Sequence, residues 1–342
     1  MINFFKNHWL LILLATLAAF LLGLWTLRPF LGERIDESLP KLNKPEFEGV
    51  SLNPQTRIIF GPQTPQKVLS VLNMESKPPL TASQITHIAQ PLGFFDDPLV
   101  EDDIISGTIY IWNNEGYSLS ISPLANRIDY SLDFISNPPA GTGNFPSPQV
   151  AKENLLGFLE KLGISFPGIE FIQKERYLAV SGYELNEVSP VRASILELNL
   201  TPTLGETAIV TNSPDEYIIV ADFNRSGNIL SFQINNSFGA IKTGQEYHLK
   251  NLEDIKNSIH QEGKILQAEI ERHGKTIEDV YITSIQLSQG SLAYFLPKAG
   301  EIFQPIYILQ GTAFATGVQQ FPVTIYLPAI KSEYFTIPEL PQ

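Results

Sequence analysis

Cysteine is absent from this chain of 342 residues, and that single absence removes disulfide staples, thiolate metal sites and thiol nucleophiles together. Basic residues are scarce: 23 Lys and Arg stand against 36 Asp and Glu, a net charge of -13. Binding along a phosphate backbone needs a basic stripe, so nucleic acid is excluded as a partner. After residue 28 no apolar run approaches the ~20 residues that cross a bilayer as a helix, because Pro, Gly or polar groups interrupt every apolar stretch. A polytopic transporter is excluded by the same count. Catalytic signatures are missing too, with no HExxH, no GxSxG, no phosphate-binding glycine loop and no GxGxxG opening a helix. Ser38-Leu39-Pro40-Lys41 has the SxxK spacing of serine acyltransferases, but Pro40 forbids the helical turn that would bring the lysine back to the serine. The five histidines, His8, His87, His248, His260 and His273, form no short-spaced pair for zinc. No cofactor and no enzymatic activity are expected from these patterns.

What is present is a chain 43% hydrophobic, with 25 Pro and 23 Gly, enough apolar material for two or three domains and too much for whole-chain disorder. Its one long apolar run, Trp9 to Leu27, holds 19 residues without a charge, roughly 28 Å as a helix. Lys6 precedes it, Trp9 and Trp25 sit at its ends as interfacial anchors, and Arg28-Pro29 closes it. These features predict an uncleaved transmembrane signal anchor over residues 1–28, with the lipid bilayer as partner through residues 9–27. A cleaved secretory signal is the competing reading, but Ala15, Ala18 and Ala19 lie inside the run rather than after it. Lys6 and the amino terminus nearly balance Arg28 and Arg34 across the run. With the folded bulk C-terminal to the anchor, the expected placement is a single-pass protein of the cell membrane, N-terminus cytoplasmic and C-terminal domains extracytoplasmic.

Pro29, Pro40, Pro45 and Pro54 mark residues 29–56 as a stalk, and Ser136 to Pro148 packs six Pro or Gly into 13 residues, which predicts a linker over 137–148. These breaks leave a first α+β domain at 57–136, a second unit at 149–245, a third at 246–331 and a tail at 332–342. Each folded segment carries one capped amphipathic helix. The first opens at Thr81 with Gln84 completing a capping box, the second at Ser147 with Pro148 in its first turn, the third at Asn251. Ile85, Ile88, Ala89 and Leu92 form the apolar stripe of the first, and Ala151, Leu155, Phe158, Leu159 and Leu162 that of the second. Period-two runs follow each helix. The expected class is therefore α+β: an N-terminal transmembrane helix, then two or three units in which one helix packs on a curved antiparallel sheet.

Three constellations have chemical content. Asp222-x-Asn224-x-Ser226-Gly227 matches the start of a calcium-binding loop, making Asp222, Asn224 and Ser226 metal candidates, but position twelve is Gln233 and the flanks alternate as strands. A hairpin turn explains the same letters and is preferred. Asp96, Asp97, Glu101, Asp102 and Asp103 crowd eight residues, either as cation ligands or as a solvated loop. Tyr110, Trp112, Tyr117 and Tyr130 in one sheet, with Tyr281, Tyr294, Tyr307 and Tyr326 in another, could line a groove for an extended ligand or simply pack the sheets.

Two stretches resemble a known family. Tyr217 to Asp222, a polar turn with Gly227, and Asn228-Ile229-Leu230 resemble the strand–turn–strand signature of PepSY-type domains. Ile285-Gln286-Leu287, Ala293-Tyr294-Phe295, Gln304 to Tyr307 and Tyr326 to Ala329 are similar to the last domain of YycH/YycI-type accessory proteins. That resemblance implies a PepSY-like fold and a bacterial membrane protein that modulates a sensor histidine kinase. The expected function is a non-catalytic protein whose extracytoplasmic domains bind a protein partner or envelope ligand. The alternatives are an envelope hydrolase or protease built on Asp96, Asp97, Asp102 and Asp103, and a structural surface spacer.

Overall fold

The computed structural model describes residues 36, 38–61, 68–104, 107–134, 136–139, 141–182, 184–212, 217–235, 238–268, 277, 280–296, 302–317 and 320–336. They divide into two compact units: Asn43–Ser332, and the described residues up to Leu42 together with those from Glu333 onward. In the small unit the amide of Leu42 donates to the carbonyl of Tyr334 at 2.9 Å and that of Thr336 to the carbonyl of Leu42 at 2.8 Å.

Strands dominate the large unit because its sequence alternates with period two between Gly and Pro breaks. Three strands open it, β1 (Val50–Ser51), β2 (Arg57–Phe60) and β3 (Val68–Ser76). An antiparallel meander follows, of β4 (Leu99–Asp103), β5 (Gly107–Asn114), β6 (Tyr117–Ser122) and β7 (Arg127–Leu132). In β6 the alternation is plain: Leu119 and Ile121 are fully buried while Ser118 and Ser120 are not. Next come β8 (Glu170–Ser181), β9 (Glu184–Glu187), β10 (Ile195–Leu204), β11 (Thr207–Val210), β12 (Ile219–Phe223) and β13 (Ile229–Asn235). Because β13 pairs with β7, Phe232 opposite Tyr130, these strands extend the meander. The order is β4-β5-β6-β7-β13-β12-β10-β8-β9, antiparallel throughout.

The last strands are β14 (Phe238–His248), β15 (Lys264–Ala268), β16 (Ile282–Phe295), β17 (Ile302–Ala315) and β18 (Phe321–Pro328). They run in the antiparallel order β1-β15-β18-β17-β16. Along the other side of β16, β2 and β11 lie parallel to it, one at each end. The β11 strand also forms a hairpin with β10 and so joins the two halves. The antiparallel β3–β14 ribbon attaches to the start of β17. All eighteen described strands thus belong to one mixed sheet.

Among the described residues three α-helices pack against it, α1 (Ala82–Ala89), α2 (Pro148–Lys161) and α3 (Leu252–Glu262). Their starts follow the capping chemistry: capping boxes close at Thr81–Gln84 and Asn251–Asp254, and the Ser147 hydroxyl accepts the amide of Val150. Ile85 and Ile88 of α1, Leu155 and Leu159 of α2, and Leu119, Leu198 and Phe232 of the nine-stranded portion share one core.

Two expectations are corrected. The fold is not an α+β series of helix-on-sheet units but a mostly β structure on one large mixed sheet. Period-two patterning marks strands without naming their partners, and β7 pairs with β13 across the Pro/Gly segment 137–148. The expected stalk also contributes to the large unit, since residues 43–56 carry β1 and bury Phe47 and Leu52. The second correction concerns the membrane placement. Among the described residues no helix is long and apolar enough to cross a membrane. The longest described helix, α2, has 14 residues, about 21 Å, and carries Lys152, Glu153, Glu160 and Lys161. The single-pass cell-membrane assignment is thus corrected to what the described residues hold, which is no membrane-spanning helix; the run Trp9 to Leu27, with Trp9 and Trp25, lies outside them.

Candidate functional site: a polar cleft on the C-terminal strands

A cleft of about 590 Å³ is lined by β15 to β18 with contributions from β8, β11 and the residue Tyr217 before β12. Its walls are set by strand register. Gln289 lies opposite Gln310, Gln310 opposite Thr324, and Thr324 opposite Gln267, so one transverse row of polar side chains crosses β16, β17, β18 and β15. Neighbouring strands lie ~4.8 Å apart, which makes this row about 14 Å long. Gln289 and Gln310 are exposed, Gln267 is half-buried and Thr324 is buried. Beside the row, Ile308 opposite Tyr326 extends the lining.

The floor is rigid. Tyr326 is buried with Phe295 and Ile306 and meets the ring of Phe47 edge to face at 5.8 Å. A Cβ at Gly311 would stand 2.3 Å from the carbonyl oxygen of Gln286, so only glycine lets β17 lie this close to β16 under the cleft. Among the described residues the lining contains no carboxylate and no histidine, and its one cationic side chain is the exposed Lys174.

A second polar row crosses the nine-stranded portion. Arg176 on β8, Glu197 on β10, Asp222 on β12 and Ser231 on β13 are directly opposite one another in turn. Arg176 holds Glu197 at 3.1 Å and Glu187 at 3.2 Å, and Asn199 donates to Glu197 at 2.8 Å. The Ser231 hydroxyl donates to Asp222 Oδ2 at 2.5 Å, while Asp222 Oδ1 is buried without a hydrogen-bond partner. Burial pushes the Asp222 carboxyl up to about 6 and the Glu197 charge adds to this, against the opposing Ser231 bond.

That environment sets a pH dependence. The folded-state value lies above the unfolded one of ~3.9, so the contribution of the neutral carboxyl is complete below about pH 4 and lost as pH rises through about 6. Asp222→Asn should therefore stabilise the protein relative to wild type at pH 7.5, by on the order of 2 kcal/mol, with little gain at pH 4. Urea denaturation of both proteins at the two pH values checks this; an equal difference at both would show that Asp222 titrates normally.

Asp222, Asn224 and Ser226 occupy the β12–β13 hairpin. Asn224 Oδ1 accepts the amides of Ser226 at 3.0 Å and Asn228 at 2.9 Å, and Gly227 takes φ 80°. The Arg225 guanidinium donates to the carbonyls of Gly143, Pro190, Val191 and Ala193 and lies 4.9 Å over the Phe145 ring. Asn224 Oδ1 is thus taken up by the turn and Asp222 Oδ2 by Ser231, and among the described residues no cluster of three or more His, Asp or Glu suits a metal ion. Asp96 and Asp97 lie on an exposed turn, and Asp102 and Asp103 on the exposed strand β4. Asp102 accepts the Thr108 hydroxyl at 3.0 Å.

The aromatic residues do not share one groove. Trp112 is buried and donates to the carbonyl of Asp96 at 2.8 Å, with Tyr110 stacked beside it at 6.4 Å. Tyr117 and Tyr130 stack at 5.4 Å. Tyr294 and Tyr307 are buried and donate to the carbonyls of Ser70 and Lys250, and Tyr281 donates to Gln55. Of this set Tyr326 alone lines the cleft. The residues that shape it, Gln267, Gln289, Gln310, Thr324, Lys174 and Tyr217, escape sequence reasoning because only strand register assembles them. No family model and no curated protein matches the chain, so the PepSY-type and YycH/YycI-type resemblance is without support.

Proposed function

We propose that the protein is a non-catalytic binding protein and that the cleft on β15 to β18 receives its ligand. The observation that carries this reading is the row Gln289–Gln310–Thr324–Gln267, which places hydrogen-bonding side chains along a concave surface over a packed floor. Binding sites combine such fixed polar groups with aromatic walls, here Tyr217 and Tyr326. Acid–base or nucleophilic chemistry would need a carboxylate, histidine or activated hydroxyl in the lining. Its described titratable groups are instead a lysine and two tyrosines. The occupant is a polymer or an extended protein segment rather than a compact metabolite, because the row spans four strands.

Gln310→Trp should fill the cleft without touching the core, since Gln310 is exposed. In thermal-shift measurements against a panel of soluble peptides and oligosaccharides, a ligand that binds the native state raises Tm by mass action. The expected result is a ligand that stabilises wild type, fails to stabilise Gln310→Trp, and is recovered chemically unchanged. Stabilisation that survives the substitution would place the site elsewhere, and a chemically altered ligand would make the protein an enzyme.

A further inference from the structure

The geometry points to a polysaccharide chain as the occupant of the cleft, lying across β16, β17, β18 and β15 with its hydroxyls on Gln289, Gln310, Thr324 and Gln267. This rests on the cleft being the binding site and names the ligand class. Three observations favour a sugar polymer over a peptide. The first is the repeat. Polar groups recur every ~4.8 Å across the strands, whereas side chains on one side of an extended peptide recur every ~6.6 Å. The length of one sugar unit is closer to the strand spacing. The second is the type of group. A carboxamide offers a donor and an acceptor from one side chain, which suits adjacent hydroxyls that each do both. Three of the four row positions are glutamine and the fourth is threonine. A peptide adding to a sheet would seek unpaired backbone at an edge, but β17 and β18 are paired on both sides along this row.

The third observation is charge. Among the described residues the lining carries Lys174 and no acid in a chain of net charge -13, which suits a neutral chain or one bearing a carboxylate that meets Lys174. Tyr217 supplies an aromatic surface at the same wall, suited to the apolar face of a sugar ring.

Affinity electrophoresis of the full chain in native gels tests the assignment, with xylan, glucomannan, polygalacturonate or alginate cast into the gel and gelatin as the peptide arm. Folding of each variant is checked by circular dichroism. The expected result is retardation by at least one polysaccharide and none by gelatin, with Kd raised about tenfold by Gln310→Ala and further by Gln289→Ala in the same chain. Lys174→Met should weaken binding to polygalacturonate or alginate but not to the neutral chains. If gelatin alone retards the protein and Gln310→Trp abolishes that, the sugar assignment is overturned while the cleft stands. Polysaccharide binding indifferent to Gln310→Trp overturns both. Retardation by none of the polysaccharides overturns the sugar assignment.

Discussion

Lys250→Ala should destabilise the large unit by roughly 3–5 kcal/mol, the range expected when one partner of a buried ion pair is removed. Lys250 is 1% exposed. Its ammonium donates to the carbonyls of Pro328 at 2.8 Å and Ile330 at 2.7 Å and meets Glu262 at 2.9 Å. Burial lowers the Lys250 amine, with the Glu262 charge pulling the other way. Burial also pushes the Glu262 carboxyl up, but Lys250 and Lys44 outweigh this and hold it below the usual carboxylate range. The pair ties the start and end of α3 to the chain after β18, where the amide of Lys250 donates to Ala329 at 2.7 Å and Tyr307 donates to the Lys250 carbonyl at 2.9 Å. Alanine removes the ammonium from two carbonyls and from a carboxylate that keeps only the Ser332 hydroxyl, at 3.0 Å, and one exposed lysine. The exposed Lys44, 3.1 Å from Glu262, is the remaining cation. Lys250→Met fills the volume yet strands the same carboxylate, so it should lose nearly as much, whereas Lys250→Met with Glu262→Gln should recover part of the loss. Urea denaturation of the three variants measures this. A loss under about 1 kcal/mol for Lys250→Ala would place the pair among exposed ion pairs, which are worth that little.

That lysine shows how far sequence reading reaches here. Asn251 is legible as a helix cap, and Ile255 and Ile259 as the buried stripe, because capping and 3.6-residue periodicity are local properties. The adjacent Lys250 reads as an ordinary surface residue, since its partners are 78 and 80 positions away. The hairpin around Gly227 is legible for the same local reason, its turn being fixed by Asn224 and a residue free to take positive φ. The cleft is the opposite case. Gln289, Gln310 and Thr324 are polar residues on alternating strands until register sets them side by side, and β-bulges shift that register between Leu287 and Gln289 and between Ile265 and Gln267. The parallel pairing of β2 and β11 with β16 is likewise carried by short strands whose partners lie far along the chain. The Pro/Gly segment before Pro148 does mark a break in secondary structure. It marks no break in the sheet.

Phe232→Ala tests that last point, because the ring joins the segments on the two sides of 137–148. Phe232 is 2% exposed, lies 5.2 Å from the Tyr130 ring on β7 and 6.1 Å from the Phe158 ring on α2, and is directly opposite Tyr130 in the ladder. Truncating a buried phenylalanine costs about 3–5 kcal/mol through lost transfer energy and the cavity left behind. If β4 to β7 and β8 to β13 are one cooperative sheet, the loss is felt on both sides of the break. Hydrogen exchange should then show protection falling together in β6 and β7 and in β12 and β13, and denaturation should remain a single transition at lower urea. The intervening segment packs as well: Phe145 meets Tyr177 edge to face at 5.7 Å and lies under Arg225. Cleavage within 137–148 should accordingly leave the two fragments associated in size-exclusion chromatography, held by the β7–β13 ladder. Protection lost in β12 and β13 alone, with two separate transitions and fragments that elute apart, would mean that the chain folds as independent units and that the ladder adds little to their stability.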